Sequence, residues 1–351
     1  MLVWQWGRRG AGPRDAIELA AALAQVAGVE AMLPLSRQSE IMAGRASLAC
    51  DLPVDTYRSA ADLLLRLPRL PFQVGGLARR LAALRLDAAI CAMPAPLDML
   101  MAAALRRARV PYAVVVHDAT LHPGDIHAWQ MVLQRRLSRR ADAVVALSRH
   151  VGDRLREQGL APGRKLILSA HLPFDFGPAP PPRSHDGRLL PYKGLDLLAD
   201  AMAALGPRDD LELRVVGQGP DSPVLARLQA MPGVTVENRW VPEDEVGAIL
   251  AWSDALVLPY REASQSGVAA AALTARRFVV ATDVGGIREQ LAGVALARLV
   301  APEPAALADA LAKLASAPWP APWPDSRGPQ ADPRQEIAAA LVRDLTAALA
   351  R

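Results

Sequence analysis

The sequence predicts an α/β protein made of two doubly wound parallel-sheet domains, and three observations carry that prediction. The chain has 351 residues, enough for two domains of about 150 residues, each with its own buried core. Short apolar runs alternate with longer amphipathic stretches, the pattern of βα units. Residues 171–186 contain five prolines and little periodicity, and this stretch divides the alternation into two similar halves.

The elements follow in order. In the first half the apolar runs predict strands at residues 2–6, 29–34, 86–93, 112–117, 143–147 and 165–169, with helices between them such as 14–26 and 149–158. In the second half they predict strands at 211–216, 234–237, 255–258 and 278–281. A Pro/Trp-rich loop at 318–324 precedes a last amphipathic helix from about 333 to 350. The expected organisation is therefore a first domain over 1–170, a linker over 171–187, a second domain over 188–330 and a closing helix within 331–351. Ligands of such sheets bind outside the carboxyl ends of the strands, so a cleft facing both sheets is the expected site.

Composition removes several classes. Hydrophobic residues make up 52% and charged residues 22%, which excludes a disordered or fibrous chain. No run of about 18 apolar residues occurs, and the first residues lack the order of a secretory signal, so a cytoplasmic protein is expected. Two cysteines, Cys50 and Cys91, make neither a disulfide framework nor a four-ligand zinc site. The net charge of +4 hides an asymmetry: residues 1–170 hold 23 basic and 14 acidic side chains, the remainder 17 and 22. The basic half is the one expected to meet an anionic surface. There, residues 76–86 put Leu77, Leu81 and Leu84 on one helical face beside Arg79, Arg80 and Arg85, as in a helix that lies on a bilayer.

Only three lysines occur, Lys165, Lys193 and Lys313, against 37 arginines, so the segment Gly187-Arg188-Leu189-Leu190-Pro191-Tyr192-Lys193-Gly194 stands out. Its two cations lie five residues apart on a Gly/Pro loop entering a helix, where they can converge on a diphosphate; a solvated turn explains the same spacing. After the strand at 255–258 comes Pro259-Tyr260-Arg261-Glu262-Ala263-Ser264-Gln265-Ser266-Gly267-Val268. Its last residues open a helix whose free N–H groups attract a phosphate, and Ser264 or Ser266 serves equally as a plain cap. Thr282-Asp283-Val284-Gly285-Gly286-Ile287-Arg288-Glu289 repeats the arrangement, with Glu289 directed at the ligand or merely complementing a helix start. In the first half, the loop from Trp6 to Arg14 carries Gly7, Gly10 and Gly12 without the spacing of a P-loop. Gly217-Gln218-Gly219 is also incomplete, because Ser222 stands in the third glycine position. His117-Asp118 ends a strand, a position for a polar contact to substrate. No third ligand has a spacing that suits a metal there, and no Asp-x-Asp triplet occurs, so no metal is expected.

Taken in their order along the chain, and together with Arg140-Ala141-Asp142-Ala143, Ser148 and residues 240–246, these segments resemble the retaining glycosyltransferases of GT-B fold, family 4 (glycosyl transferases group 1). The resemblance covers most of the chain. It implies two Rossmann-like domains facing a cleft, with the C-terminal helix packing back on the N-terminal domain. It implies hexosyl transfer, with retention, from a nucleotide diphospho-sugar to a hydroxyl of a saccharide acceptor, lipid-linked through a polyprenyl diphosphate, in exopolysaccharide or glycolipid assembly. The donor would be a UDP-sugar, or a GDP-sugar, with no further cofactor. His117, Arg188 and Lys193 would be the catalytic residues, with the two cations on the diphosphate. Gly10 and Gly12 would line the acceptor side, and Gly217, Arg239, Val241, Ser266, Gly267, Val268 and Glu289 would bind the donor. Peripheral attachment to the inner face of the plasma membrane is the expected placement.

Two departures accompany the resemblance. The family's acidic pair would fall on Ser264 and Ala272, so neither Glu is present, and the strand before Gly187 is replaced by Pro182-Arg183-Ser184-His185-Asp186. These departures keep an alternative open, a non-catalytic GT-B scaffold that binds a nucleotide sugar or a partner protein. A nicotinamide-dependent dehydrogenase is excluded by the missing G-x-G-x-x-G. Nucleic-acid binding is opposed by an aromatic content of 4% with no aromatics interleaved among the basic residues.

Overall fold

The computed structural model of the protein describes residues 1–8, 10–44, 50–121, 128–173, 191–316 and 333–350. The chain divides into two units, one formed by Met1–Thr120, His127–Leu172 and Ala331–Arg351, the other by Leu121–Ile126 and Pro173–Gln330.

The first unit is built on a parallel sheet of β1 (Leu2–Trp4), β2 (Ala89–Cys91), β3 (Tyr112–Val116), β4 (Ala143–Ala146) and β5 (Leu166–Leu168), in that spatial order. All but β5 are buried along their whole length, which explains why they read as unbroken apolar runs and not as alternations. The run at 29–34 does not become a strand. Only single bridges form, from Met32 to Leu2 and from Leu35 to Gln5, because Pro34 has no N–H to give a ladder and the Leu33 N–H donates to Asp51 Oδ2 instead.

Helix Ala11–Leu23 lies against the sheet and against the closing helix Pro333–Leu349, whose Ala338, Leu341 and Leu345 enter the same core as Leu19, Leu23, Leu35 and Ile90. His171, expected in the linker, belongs to this unit, and Leu172 beside it is buried in that core. The helix expected at 76–86 runs over Leu70–Ala83. Its apolar face turns inward: Leu81 is buried, and Leu77 and Leu84 pack on the core. Exposed large apolar side chains lie just before it, at Leu64, Leu65 and Leu67, and in its first turn, at Phe72.

Helix Asp98–Arg107 begins with a carboxylate that is wholly buried. Asp98 Oδ2 accepts from the Ala95 N–H at 2.7 Å and from Cys91 Sγ at 3.3 Å. Burial, only partly offset by these donors, pushes the carboxyl up to about 7, and burial also raises the Cys91 thiol, which stays protonated. An acid with a raised folded-state pKa stabilises the fold at low pH and loses that contribution as pH rises toward 7. From 3.8 to about 7 the loss is about 4 kcal/mol. Asp98→Asn should therefore flatten the fall in stability between about pH 4 and 7 in urea titrations, and an unchanged slope would contradict this.

The second unit contains β6 (Leu213–Gly217) paired with β7 (Val234–Asn238), and a three-stranded sheet in which β9 (Phe278–Thr282) lies between β8 (Ala255–Leu258) and β10 (Ala297–Val300). All pairs are parallel. The two sheets share a core in which Leu213 and Val215 meet Val257 and Val280, covered by helices Leu195–Leu205 and Pro304–Ser316. No helix among the described residues is long and apolar enough to cross a membrane.

Candidate functional site

Three of the segments singled out in the sequence meet in the second unit. The 3-10 turn Pro191–Lys193 and helix Leu195–Leu205 bracket Gly194, which adopts φ 67°. A Cβ on Gly194 would stand 1.8 Å from the Pro259 carbonyl oxygen, so only glycine lets this turn approach the loop after β8. That contact is reinforced where the Arg261 N–H donates to Tyr192 O at 2.9 Å and the Arg261 guanidinium forks onto Asp196. The pair holds the Asp196 carboxyl below the usual carboxylate range. From the other side, Gly285 with φ 48° would place a Cβ 2.1 Å from Ala263 O, and the Gly286 N–H donates to that oxygen at 2.9 Å. Thr282 Oγ1 donates to Tyr260 O at 2.5 Å.

Tyr260 joins the pieces. Its ring packs edge-on against Tyr192 with centroids 6.3 Å apart, and carries the Lys193 ammonium 3.7 Å from its centroid. Its hydroxyl lies 3.4 Å from Ser266 Oγ. Ser266 is the cap of helix Gly267–Thr274, its Oγ accepting from the Ala269 N–H at 3.2 Å. The N–H groups of Gly267 and Val268 precede the first intrahelical bond and have no acceptor among the described residues. The unit thus presents a fixed ammonium and a capped helix mouth on one aromatic support, an arrangement suited to an anion.

The remaining sequence candidates fall as follows. Arg188 lies outside the described residues. Gly217 ends β6, and its carbonyl accepts from the Arg239 N–H at 2.7 Å. The Arg239 side chain is committed to Glu237 at 2.9 Å and Glu245 at 2.7 Å, and Val241 nearby is half-buried. Glu289 is exposed. The next residue, Gln290, reaches the site, accepting from the Ser266 N–H at 2.8 Å and donating to Ser266 O at 2.9 Å. A signal for Gln290 was absent, whereas Tyr192 and Tyr260, two of only four tyrosines, were visible beside Lys193 and Ser266. Ser264 and Ala272 are both buried.

In the first unit, Gly10 caps helix Ala11–Leu23 with φ 85°, its N–H donating to Glu40 Oε1. Gly12 is packed so tightly on Gln5 that a Cβ would come within 2.5 Å of Gln5 Nε2. His117 follows β3, is buried, and donates from Nε2 to Ala92 O at 3.0 Å. Two residues that sequence reading left out stand beside it: Asp15, with Oδ2 3.9 Å from His117 Nε2, and His171, with Nε2 3.6 Å from Asp15 Oδ1. Burial lowers the His171 pKa, against the pull of Asp15. This grouping was not legible in the sequence because its members lie 102 and 54 residues apart in the chain.

Comparisons with known proteins agree with this architecture. The family model described as "Glycosyl transferase 4-like domain" matches residues 11–169, and that described as "Glycosyl transferases group 1" matches residues 185–317. The chain is similar in structure to Anabaena HepE, solved with UDP and glucose, at 17% identity, 99% coverage of this chain and 94% of that one, and a TM-score of 0.65. It is also similar to sucrose-phosphate synthase from Thermosynechococcus elongatus, at 18% identity, 99% and 100% coverage, and a TM-score of 0.64. UDP-GlcNAc 2-epimerase from Neisseria meningitidis, bound to UDP-GlcNAc, shares the fold at 10% identity, 99% and 100% coverage, and a TM-score of 0.59. No curated protein matches the chain. With two Rossmann-like parallel-sheet units of GT-B type and matches to both family models in chain order, the protein belongs to the group 1 glycosyltransferases.

Proposed function

We propose that the protein transfers a hexosyl group, with retention, from a UDP-sugar to a hydroxyl of a lipid-linked saccharide, in polysaccharide or glycolipid assembly. The observation that carries this reading is the Tyr260 support, which holds the Lys193 ammonium on its ring and Ser266, the cap of helix Gly267–Thr274, at its hydroxyl. In this reading the diphosphate sits at the N–H groups of Gly267 and Val268, and Lys193, with Arg188, neutralises the charge that grows on the leaving oxygen as the glycosidic bond breaks. The acceptor hydroxyl attacks from the face the diphosphate leaves, and a diphosphate oxygen takes its proton. His117 contacts the transferred sugar. UDP is preferred as the nucleotide because similar GT-B structures were solved with UDP or UDP-glucose; GDP is the second choice. No metal ion is assigned to the diphosphate.

Incubation with a panel of UDP- and GDP-sugars, followed by proton NMR of the product's anomeric signal, tests the proposal. Transfer or slow donor hydrolysis with the α or β configuration of the donor preserved supports it. Inversion would overturn retention. Binding without turnover would favour the non-catalytic scaffold, a reading consistent with Ser264 and Ala272 in place of two carboxylates.

The same proposal puts the first unit on an anionic bilayer. The exposed Leu64, Leu65, Leu67 and Phe72 lie among Arg58, Arg66 and Arg69, a combination that buries apolar tips while basic groups meet acidic headgroups. In flotation with vesicles containing acidic phospholipid, the wild type should float at low salt, and Leu65→Asp with Phe72→Asp should stay in solution. Equal behaviour of the two proteins would remove the bilayer from the proposal.

A further inference from the structure

The loop after β1 is pinned along its backbone around Arg8. The Gly7 N–H donates to the buried Gln5 side chain at 2.9 Å, the Glu40 N–H donates to Arg8 O at 2.9 Å, and the Gly10 N–H donates to Glu40 Oε1 at 3.1 Å. Between these anchors the Arg8 guanidinium makes no hydrogen bond or ion pair to a described residue, although its Nε is buried. A buried charged donor without an acceptor bears an uncompensated desolvation cost, which an incoming anion offsets.

The guanidinium stands over the ring of Tyr57, with Cζ 5.8 Å from the centroid. Tyr57 packs on the same core as Trp6 and Leu63, and its hydroxyl has no hydrogen-bond partner among the described residues. Burial, against the pull of Arg8, raises the Tyr57 pKa, so the phenol keeps its hydrogen for donation. A cationic fork and a hydroxyl donor thus meet outside the carboxyl end of β1, the end of such sheets at which ligands bind. The fork offers two parallel N–H groups and the phenol a third donor. That count exceeds the two oxygens of a carboxylate and suits a phosphate or diphosphate ester. Helix Ala60–Arg66, capped by Ser59 just after Tyr57, carries exposed Leu64 and Leu65, while its Leu63 packs on the core that Tyr57 touches.

We propose that Arg8 and Tyr57 bind the phosphoryl group of an amphiphilic acceptor, a phosphate or diphosphate ester joining an apolar chain to the sugar. The apolar chain runs toward the exposed leucines of helix Ala60–Arg66. Phosphoryl chemistry is shared by a lipid phosphate and a soluble phosphorylated saccharide, and the leucines favour the lipid. Both residues lie in the first unit. The inference therefore deepens the acceptor side of the proposed function, on which it rests, and involves neither Lys193 nor the donor.

The test titrates full-length protein by calorimetry, without nucleotide, with decyl phosphate, methyl phosphate and the uncharged decyl glucoside, each below its micelle concentration. The wild type should bind decyl phosphate at least about tenfold more tightly than decyl glucoside, and Arg8→Gln should lose most of that advantage while keeping the far-UV circular dichroism of the wild type. Tyr57→Phe should lose a smaller part. Should Arg8→Gln fail to fold, Arg8→Lys decides: it keeps the charge without the fork and must weaken decyl phosphate binding by about threefold or more. Lys193→Ala, altered only in the second unit, should bind decyl phosphate as the wild type does. Loss of binding there in place of Arg8→Gln would move the phosphate to the second unit and overturn the site. Decyl phosphate bound no more tightly than decyl glucoside, or bound equally by wild type and the folded Arg8 variant, would overturn it too. Equal affinity for methyl and decyl phosphate would keep the phosphoryl site and overturn its lipid occupant. Donor hydrolysis needs no acceptor, so a failure here is distinct from a failure of the donor reading.

Discussion

Lys193→Ala is expected to lower kcat/KM for UDP-sugar hydrolysis or transfer by about 100-fold, the loss typical when one preorganised group facing developing negative charge is removed. The ammonium is positioned by contacts that do not depend on substrate, 3.7 Å from the Tyr260 centroid and 5.0 Å from that of Tyr192. Such fixing means that little reorganisation accompanies bond breaking. Because charge on the leaving diphosphate grows toward the transition state, kcat should fall more than donor affinity. Tyr260→Phe keeps the ring and should retain most of the rate, whereas Tyr260→Leu removes the support and should approach the Lys193→Ala rate. Equal rates for wild type and Lys193→Ala would remove Lys193 from the chemistry.

Gly194→Ala is expected to be among the most destabilising single substitutions in the second unit, by about 3 to 5 kcal/mol. Two costs act together: a left-handed backbone for a residue with a Cβ, and a Cβ 1.8 Å from a carbonyl oxygen of the backbone, which has no free rotation by which to yield. Gly206 provides the control. Its backbone, at φ 67° and ψ −179°, also favours glycine, yet a Cβ there meets nothing within 4 Å, so Gly206→Ala should carry only a backbone cost of about 1 to 3 kcal/mol. The difference between the two in urea unfolding isolates the close approach of the 191–194 turn to the loop after β8. Similar losses for both variants would mean that the turn does not press on that loop.

The fold was legible wherever burial made a strand continuous. β8 matches its apolar run residue for residue, and β3 and β4 differ from theirs by one residue at the end. Legibility failed where a local feature opposed the pattern. β10 was missed because Arg298 interrupts a short run, and that strand is recognisable only by its parallel pairing with β9. Pro68 and Pro71 stand at the starts of the helical segments at 67–69 and 70–83, which begin earlier than the leucine spacing at 77, 81 and 84 suggested, and that leucine face turns inward because Leu81 is buried in the core and Leu77 and Leu84 pack on it. Within the site, Lys193 and Ser266 were visible from residue type and position. Their common support on Tyr260, and the hold of Gln290 on Ser266 across 24 residues, arise from tertiary contacts that no local spacing encodes. The Asp15, His117 and His171 trio was hidden for the same reason, since the proline-rich stretch made His171 look like linker.

The central claim is that the second unit holds the diphosphate of a UDP-sugar with Lys193 and the mouth of helix Gly267–Thr274. Titration calorimetry of UDP against UMP and uridine tests it most directly, in the wild type, Lys193→Ala and Gly267→Pro, the last removing one N–H at the first helical position, where proline is otherwise tolerated. The account predicts that UDP binds the wild type at least about tenfold more tightly than uridine, and that each substitution erases most of that advantage while leaving uridine binding unchanged. A preference for UDP that survived both substitutions would contradict it.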